Sequence, residues 1–198
     1  MSAKPIHISV IYGSIREGRL CDAVVDWVVG EIRRIGEFSI DVIDPKTLDL
    51  TQRQDKGAGA PVSALKQRIR AADAAVVVTP EYNHGYPACL KSLIDSMSDE
   101  WHAKPIAFVS YVGISGGLRA VEQLRLVFAE LHAVTIRDAV SFADAPSQFG
   151  GHGRLQNPER ARGSLYAMLA SLRWWASVLR HGRRIAPYAE RAARASPV

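Results

Sequence analysis

Apolar positions along this chain fall into two rhythms that alternate from one end to the other. Residues 6–12 (IHISVIY) and 105–112 (PIAFVSYV) are short, mostly apolar runs, and residues 74–78 (AAVVV) show no period-two alternation at all. Such runs predict strands covered on both faces, as in a parallel sheet. Residues 38–43 (FSIDVI) alternate and predict a further strand, and residues 133–140 a fifth. Between these runs the apolar spacing widens to three and four. Leu20, Val24, Trp27, Val28, Ile32 and Ile35 predict a helix over 19–35, stopped by Gly36. Val62, Leu65 and Ile69 predict one over 61–72, and Leu90, Leu93, Ile94 and Met97 one over 87–97, with Pro87 in its first turn. Val121, Leu124, Val127, Phe128 and Leu131 predict a helix over 118–132, and Leu165, Leu169, Leu172, Trp175 and Leu179 a last one over 159–179.

Strands that alternate with helices in this way imply an α/β fold, a doubly wound parallel sheet with right-handed crossovers. Five strands in 198 residues favour the flavodoxin-like three-layer sandwich, with strand order 2-1-3-4-5, over the longer six-stranded arrangement. The reading is of a single domain over residues 1–180. The tail, 181–198, is rich in Arg and Ala without an apolar stripe, and is expected to pack weakly or to dock on another subunit. Residues 44–61 read as a polar connection. In the 2-1-3-4-5 order the sheet's switch point lies between the first and third strands, which makes the loops after them neighbours.

Charge adds one correction to this picture. The chain carries a net charge of +5, yet residues 160–198 alone hold eight arginines against one acid, Glu190. The body of the domain is therefore slightly acidic, and the expectation is a solvated Arg-rich terminus with no nucleic-acid role. No apolar run reaches the ~20 residues of a membrane span, and no signal peptide is read at the N-terminus. Cys21 and Cys89 have no metal or redox spacing and point to a reduced, cytoplasmic setting. The six histidines show no metal-ligand spacing. Cys89 falls in a helix's first turn, where a thiol pKa can drop, but reads better as a packing residue.

Candidate chemistry sits where strands give way to helices. The first such loop, Gly13-Ser14-Ile15-Arg16-Glu17-Gly18-Arg19, offers a hydroxyl, two guanidinium groups and helix-terminal amides, a set suited to phosphate. It is neither a dinucleotide fingerprint nor a Walker A loop. The second, residues 79–87 (TPEYNHGYP), has two tyrosines, a glutamate, an asparagine and a histidine, with surfaces for stacking. The third, residues 113–117 (GISGG), has glycines that let a flat ring approach the backbone. Together they suggest one ligand with a phosphate at one end and a flat ring at the other. The helix over 87–97 is apolar on more than one side, which calls for a second burial partner and so for a dimer or a dimer of dimers.

GSIREGR, TPEYNHGYPACLKSLIDSM and SGGLRA at this spacing resemble the NAD(P)H-dependent FMN reductases, the flavodoxin-like quinone, chromate and azo-dye reductases. The resemblance runs from about Ile6 to Ala145. It implies FMN held noncovalently by the three loops, and hydride passed from NAD(P)H through FMN to a small acceptor: a quinone, a flavin, an azo dye or a metal oxyanion. It makes Ser14 and Arg16 the phosphate ligands, with Arg19, Leu20 and Cys21 following in the same stretch. Pro80, Glu81, Tyr82 and Asn83 become the segment against the isoalloxazine, and Ser115, Gly116 and Gly117 the third-loop contacts. The resemblance also implies a homodimer or homotetramer, with the helices over 87–97 and 118–132 pairing across a two-fold axis. Many members have Ser and Asn where this chain has Arg19 and Cys21, and Arg19 is expected to supply charge in their place. The alternative is a non-enzymatic electron carrier or flavin-binding regulatory module on the same fold.

Overall fold

The computed structural model describes residues 4–48, 60–150 and 153–188. Its centre is a sheet of five parallel strands in the order β2-β1-β3-β4-β5. The strands are β1 (Ile6–Tyr12), β2 (Phe38–Ile43), β3 (Ala74–Pro80), β4 (Pro105–Tyr111) and β5 (Val134–Phe142). The three central strands are almost wholly buried, which is why their sequence shows no polar face. The apolar run of β3 continues two residues further than its composition predicts. Thr79 and Pro80 still pair with Ser110 and Tyr111 of β4.

Helices cover both faces. On one side α1 (Cys21–Ile35) and α6 (Pro158–Ile185) bury Val24, Val28, Ile32, Leu165, Leu169 and Leu172 against the sheet. On the other, α2 (Ala60–Ala71), α3 (Ala88–Asp95) and α4 (Leu118–Glu130) bury Leu65, Ile69, Leu90, Leu93, Leu124 and Phe128. Trp101 closes that layer, edge-on to Phe128, with its indole N–H donating to the Ile94 carbonyl at 3.1 Å. Between β5 and α6 lies a short helix, α5 (Ala145–Gln148). Part of the connection predicted over 44–61 lies outside the described residues, as do His152 and residues 189–198 of the predicted tail.

Three expectations change. First, α6 runs to Ile185, past the predicted end at Leu179. Second, four of its six arginines meet partners in the body of the domain, while Arg160 and Arg184 stay exposed. Arg162 grips Glu31 through two bonds of 3.0 Å, Arg173 pairs with Glu37, Arg180 meets Asp73 at 3.0 Å, and Arg183 donates to the Ala103 carbonyl. The basic helix is laid against the acidic body, and the charge asymmetry seen in the sequence is partly an intramolecular match. Third, Leu90, Leu93, Ile94 and Met97 are all buried within the chain itself. They join the core cluster that holds Val77, Phe108 and Leu124, so this stripe is covered within the chain, while Ala88 stays exposed and Cys89 half-buried.

Candidate functional site at the carboxyl edge of the sheet

The loops that follow β1, β3 and β4 meet at one edge. Gly13 marks the first: its amide donates to the Val78 carbonyl at 2.7 Å, and a side chain there would meet the Thr79 Cα at 2.8 Å. Glycine thus lets the first loop leave β1 pressed against β3. The loop leads into α1, whose N-terminus has no side-chain cap. An uncapped first turn leaves amide donors and a partial positive charge for an anion. Ser14 Oγ lies 2.8 Å from the Tyr82 hydroxyl, and the Arg16 guanidinium carbon sits 3.6 Å over the Tyr82 ring. The first and second loops, predicted to be neighbours, are in direct contact.

Arg19 is committed elsewhere. Its guanidinium binds both carboxylate oxygens of Asp44 at the end of β2, bonds Asp22 at 2.9 Å, donates to the Ser14 carbonyl, and lies over the Tyr12 ring at 4.4 Å. The side chain is only 7% exposed. Burial alone would raise the Asp44 carboxyl, but the hydrogen bond from Arg19 holds it below its ordinary value. Arg19 therefore braces the back of the first loop. Leu20 is half-buried behind it. The Cys21 thiol faces the Val78 carbonyl at 3.7 Å, and burial pushes it up to about 11. Cys89 likewise donates to the Gly13 carbonyl at 3.5 Å, and burial raises its pKa, so both thiols pack rather than react.

The second loop is a tight hairpin. Tyr82 and Gly85 exchange backbone bonds of 2.8 and 3.1 Å, and Asn83 and His84 both take positive φ, 48° and 71°. Two successive left-handed residues define a primed turn, which Asn accepts readily and His less so. Gln123 of α4 holds the turn by donating to the His84 carbonyl at 2.9 Å. Pro80 is the last residue of β3. Glu81, expected against a ring, points instead into the third loop. It accepts from Ser115 Oγ at 2.9 Å, the Arg119 amide at 3.2 Å and the Arg119 guanidinium at 2.8 Å. Burial pushes the Glu81 carboxyl up, but these bonds outweigh it and hold it below the usual range.

Two glycines of the third loop are tightly packed. Gly116 and Gly117 have φ of 60° and 81°. A side chain on Gly116 would strike Ser141 Oγ, and one on Gly117 would meet Ser110 Cβ at 2.8 Å. The Gly116 carbonyl accepts from Ser110 and Ser141 at 2.7 and 2.9 Å. Arg119, Asp44, Gln123 and Ser141 were not singled out by sequence. A buried glutamate at a strand end does signal the need for a cation, but nothing local says which one.

These features define a flavodoxin-like α/β protein whose loops after β1, β3 and β4 gather hydroxyl, guanidinium and aromatic groups at its switch point. Comparison with known proteins agrees. The family model for NADPH-dependent FMN reductase matches residues 6–147, and the chain belongs to that family. An NAD(P)H-dependent FMN reductase of Pseudomonas aeruginosa is 31% identical over 184 residues, covering 88% of this chain and 97% of that one. One from Schizosaccharomyces pombe is 38% identical over 119 residues, 56% of this chain; the match spans 60% of that relative's length. Among solved structures, the flavoenzyme NAD(P)H:(acceptor) oxidoreductase FerB of Paracoccus denitrificans superposes with a TM-score of 0.74 at 21% identity. The match covers 87% of this chain and 97% of that one, and it supports the fold.

Proposed function

We propose that this chain is an FMN-dependent oxidoreductase that takes electrons from NAD(P)H and delivers them to a small acceptor such as a quinone. The observation that carries the reading is the junction of the first and second loops at the switch point, in a chain of this family. There a serine, an arginine lying over a tyrosine ring and an uncapped helix N-terminus stand beside an aromatic hairpin. The donor set fits a phosphate dianion: a neutral hydroxyl, backbone amides, and one guanidinium with no ion pair among the described residues. Bound FMN would supply the two-electron chemistry. The residues around it would bind, orient and exclude water. Ser14 and Arg16 would hold the phosphate. Tyr82 and Asn83 would wall the cleft, and Glu81, Ser115, Gly116 and Gly117 would fix the loops that border the ring. Arg19, Leu20 and Cys21 would support the phosphate loop from behind.

The same reading takes residues up to Ile185 as one flavin-binding unit in a cytoplasmic setting, supported by the two unpaired cysteines. No helix among the described residues is long and apolar enough to cross a membrane. It takes the working form to be a homodimer or a dimer of dimers. Support for assembly now lies in α4 and the loop before it, where Ile114, Leu118 and Leu126 are exposed, 101%, 53% and 75%. The test of the whole reading is direct. The purified protein reconstituted with FMN should show the absorption bands of bound oxidised flavin and oxidise NAD(P)H with a quinone as acceptor. Bound flavin without turnover would instead favour an electron carrier or a regulatory module, and no bound flavin would refute both.

A further inference from the structure

The hydroxyl assigned to the phosphate is not open to solvent. Ser14 is wholly buried. Its Oγ is in contact with the Tyr82 hydroxyl at 2.8 Å and accepts from the Arg16 amide at 3.4 Å. Arg16 is exposed, and its guanidinium makes no ion pair among the described residues; its guanidinium carbon lies over the Tyr82 ring, 3.6 Å from the centroid. Ser14, Tyr82 and Arg16 thus form one closed stack made by two loops. The backbone beneath Tyr82 is fixed on both sides, by the primed turn to Gly85 and by the Glu81 strut. The motion left to this stack is rotation of side chains. While the phenol is on Ser14, a phosphate oxygen cannot take that place.

We infer that Tyr82 is a latch on the phosphate subsite: its phenol closes over Ser14 and holds Arg16 on its ring, and a phosphate dianion opens it by taking both partners. The inference rests on the flavin reading above and adds a role that reading does not require. The exchange gives up one neutral hydrogen bond and one exposed cation–π contact for charge-assisted bonds to phosphate. Riboflavin lacks the phosphate and offers nothing for that exchange, so the latch concerns FMN alone. Together the two latch contacts lower the open population by about tenfold, and the apparent FMN affinity falls by the same factor.

Stopped-flow quenching of flavin fluorescence tests this, with flavin-free full-length protein mixed in parallel with FMN and with riboflavin. Tyr82→Phe keeps the ring under Arg16 and removes the hydroxyl. FMN should then associate about fivefold faster, the equivalent of one neutral hydrogen bond, and the FMN-to-riboflavin rate ratio should rise by the same factor. Tyr82→Leu removes the ring as well and should raise that ratio further, to about tenfold. FMN binding that becomes slower or weaker in Tyr82→Phe would overturn the latch, because the phenol would then be a phosphate ligand. An unchanged ratio in both variants would overturn it too, as would equal acceleration of both flavins, which marks a loosened loop. If the wild-type protein binds neither flavin, the flavin reading fails first and takes the latch with it, a failure visible before any variant is compared.

Discussion

Glu81 offers the sharpest separation between what the sequence suggests and what the structure does. If its carboxylate faced a ring, Glu81→Gln would change ligand binding and leave the fold alone. In the structure it joins two loops, and the substitution acts on stability. Oε2 accepts from Ser115 Oγ and the Arg119 amide, while Oε1 accepts from the Arg119 guanidinium at 2.8 Å. A glutamine that keeps its oxygen toward Ser115 must turn its NH2 group toward the guanidinium, donor against donor. A charge-assisted hydrogen bond contributes about 1.5–3 kcal/mol. Arg119 is 50% exposed, so solvent screening puts the loss at the low end, roughly 1–2 kcal/mol. For a chain of this size that lowers Tm by about 3–6 °C. The sign with pH follows from the depressed Glu81 carboxyl. The strut stabilises above the ordinary carboxylate pKa and is lost as pH falls through the lower folded value. Thermal melts of both proteins at neutral pH and at about pH 4 should show a gap that narrows on acidification. The same substitution in an Arg119→Met background should cost much less, because the partner is already gone. Equal melting temperatures at neutral pH, combined with weakened FMN binding, would refute the strut and restore the ring contact.

Three further outcomes follow from the same geometry. Arg19→Ser should lower thermal stability whether or not flavin is present, and should weaken FMN and riboflavin to similar extents, because Arg19 is spent on Asp44; a loss confined to FMN would show it to be a phosphate ligand. Lys104 is buried under Arg183 and donates to the Ile69 and Ala72 carbonyls at the end of α2, and burial with the nearby Arg183 drops its ammonium to about 7. The unfolded chain keeps that proton to higher pH, so Lys104 makes stability rise between about pH 7 and 10, at most ~1.4 kcal/mol per unit; denaturant melts of Lys104→Met should lack that rise, and an unchanged slope would refute the assignment. Leu126→Glu, placed on the exposed face of α4, should shift the light-scattering mass toward 21.7 kDa, the mass of one chain; a wild-type protein already at that mass removes the assembly reading.

The fold was legible because it rests on local signals that all agree. Uninterrupted apolar runs marked β3 and β4, and the spacing of Val24, Val28 and Ile32 marked α1. The strand order followed from their number and alternation, and it correctly made the first and second loops neighbours. What was not legible was the direction of charged side chains. Arg16 and Arg19 sit three residues apart in one loop and look equivalent. One lies over a ring in solvent and the other is locked to Asp44, a residue 25 positions away whose place is set by β2. The arginines of α6 gave the same difficulty: Arg162 and Glu31 are 131 residues apart, and only the packing of α6 beside α1 brings them together. The glycines of the third loop were noticed for the access they give a flat ring, and the structure adds a second reason for Gly116 and Gly117. They make room for Ser110 and Ser141, and no pattern within GISGG contains those partners.

These side-chain directions divide the site into a fixed part and a movable one. Gly116 and Gly117 adopt the left-handed region freely, while Asn83 and His84 hold the same backbone conformation at a cost that persists only where surrounding bonds over-determine them. Here they do: Gln123 holds the His84 carbonyl, Ser110 and Ser141 hold the Gly116 carbonyl, and Glu81 joins the two loops. Arg19 does the same for the first loop through Asp44 and the Ser14 carbonyl. Such a frame is preorganised, so a ligand need not order the backbone as it binds. Arg16 and Tyr82 lie outside this network. They touch each other and Ser14; Arg16 is exposed and Tyr82 half-buried. Substitutions in the frame should therefore move stability and flavin affinity together, whereas substitutions at Arg16 or Tyr82 should move affinity with little change in Tm. The separation arises because the frame's bonds are formed on folding, while those of Arg16 and Tyr82 are exchanged on binding.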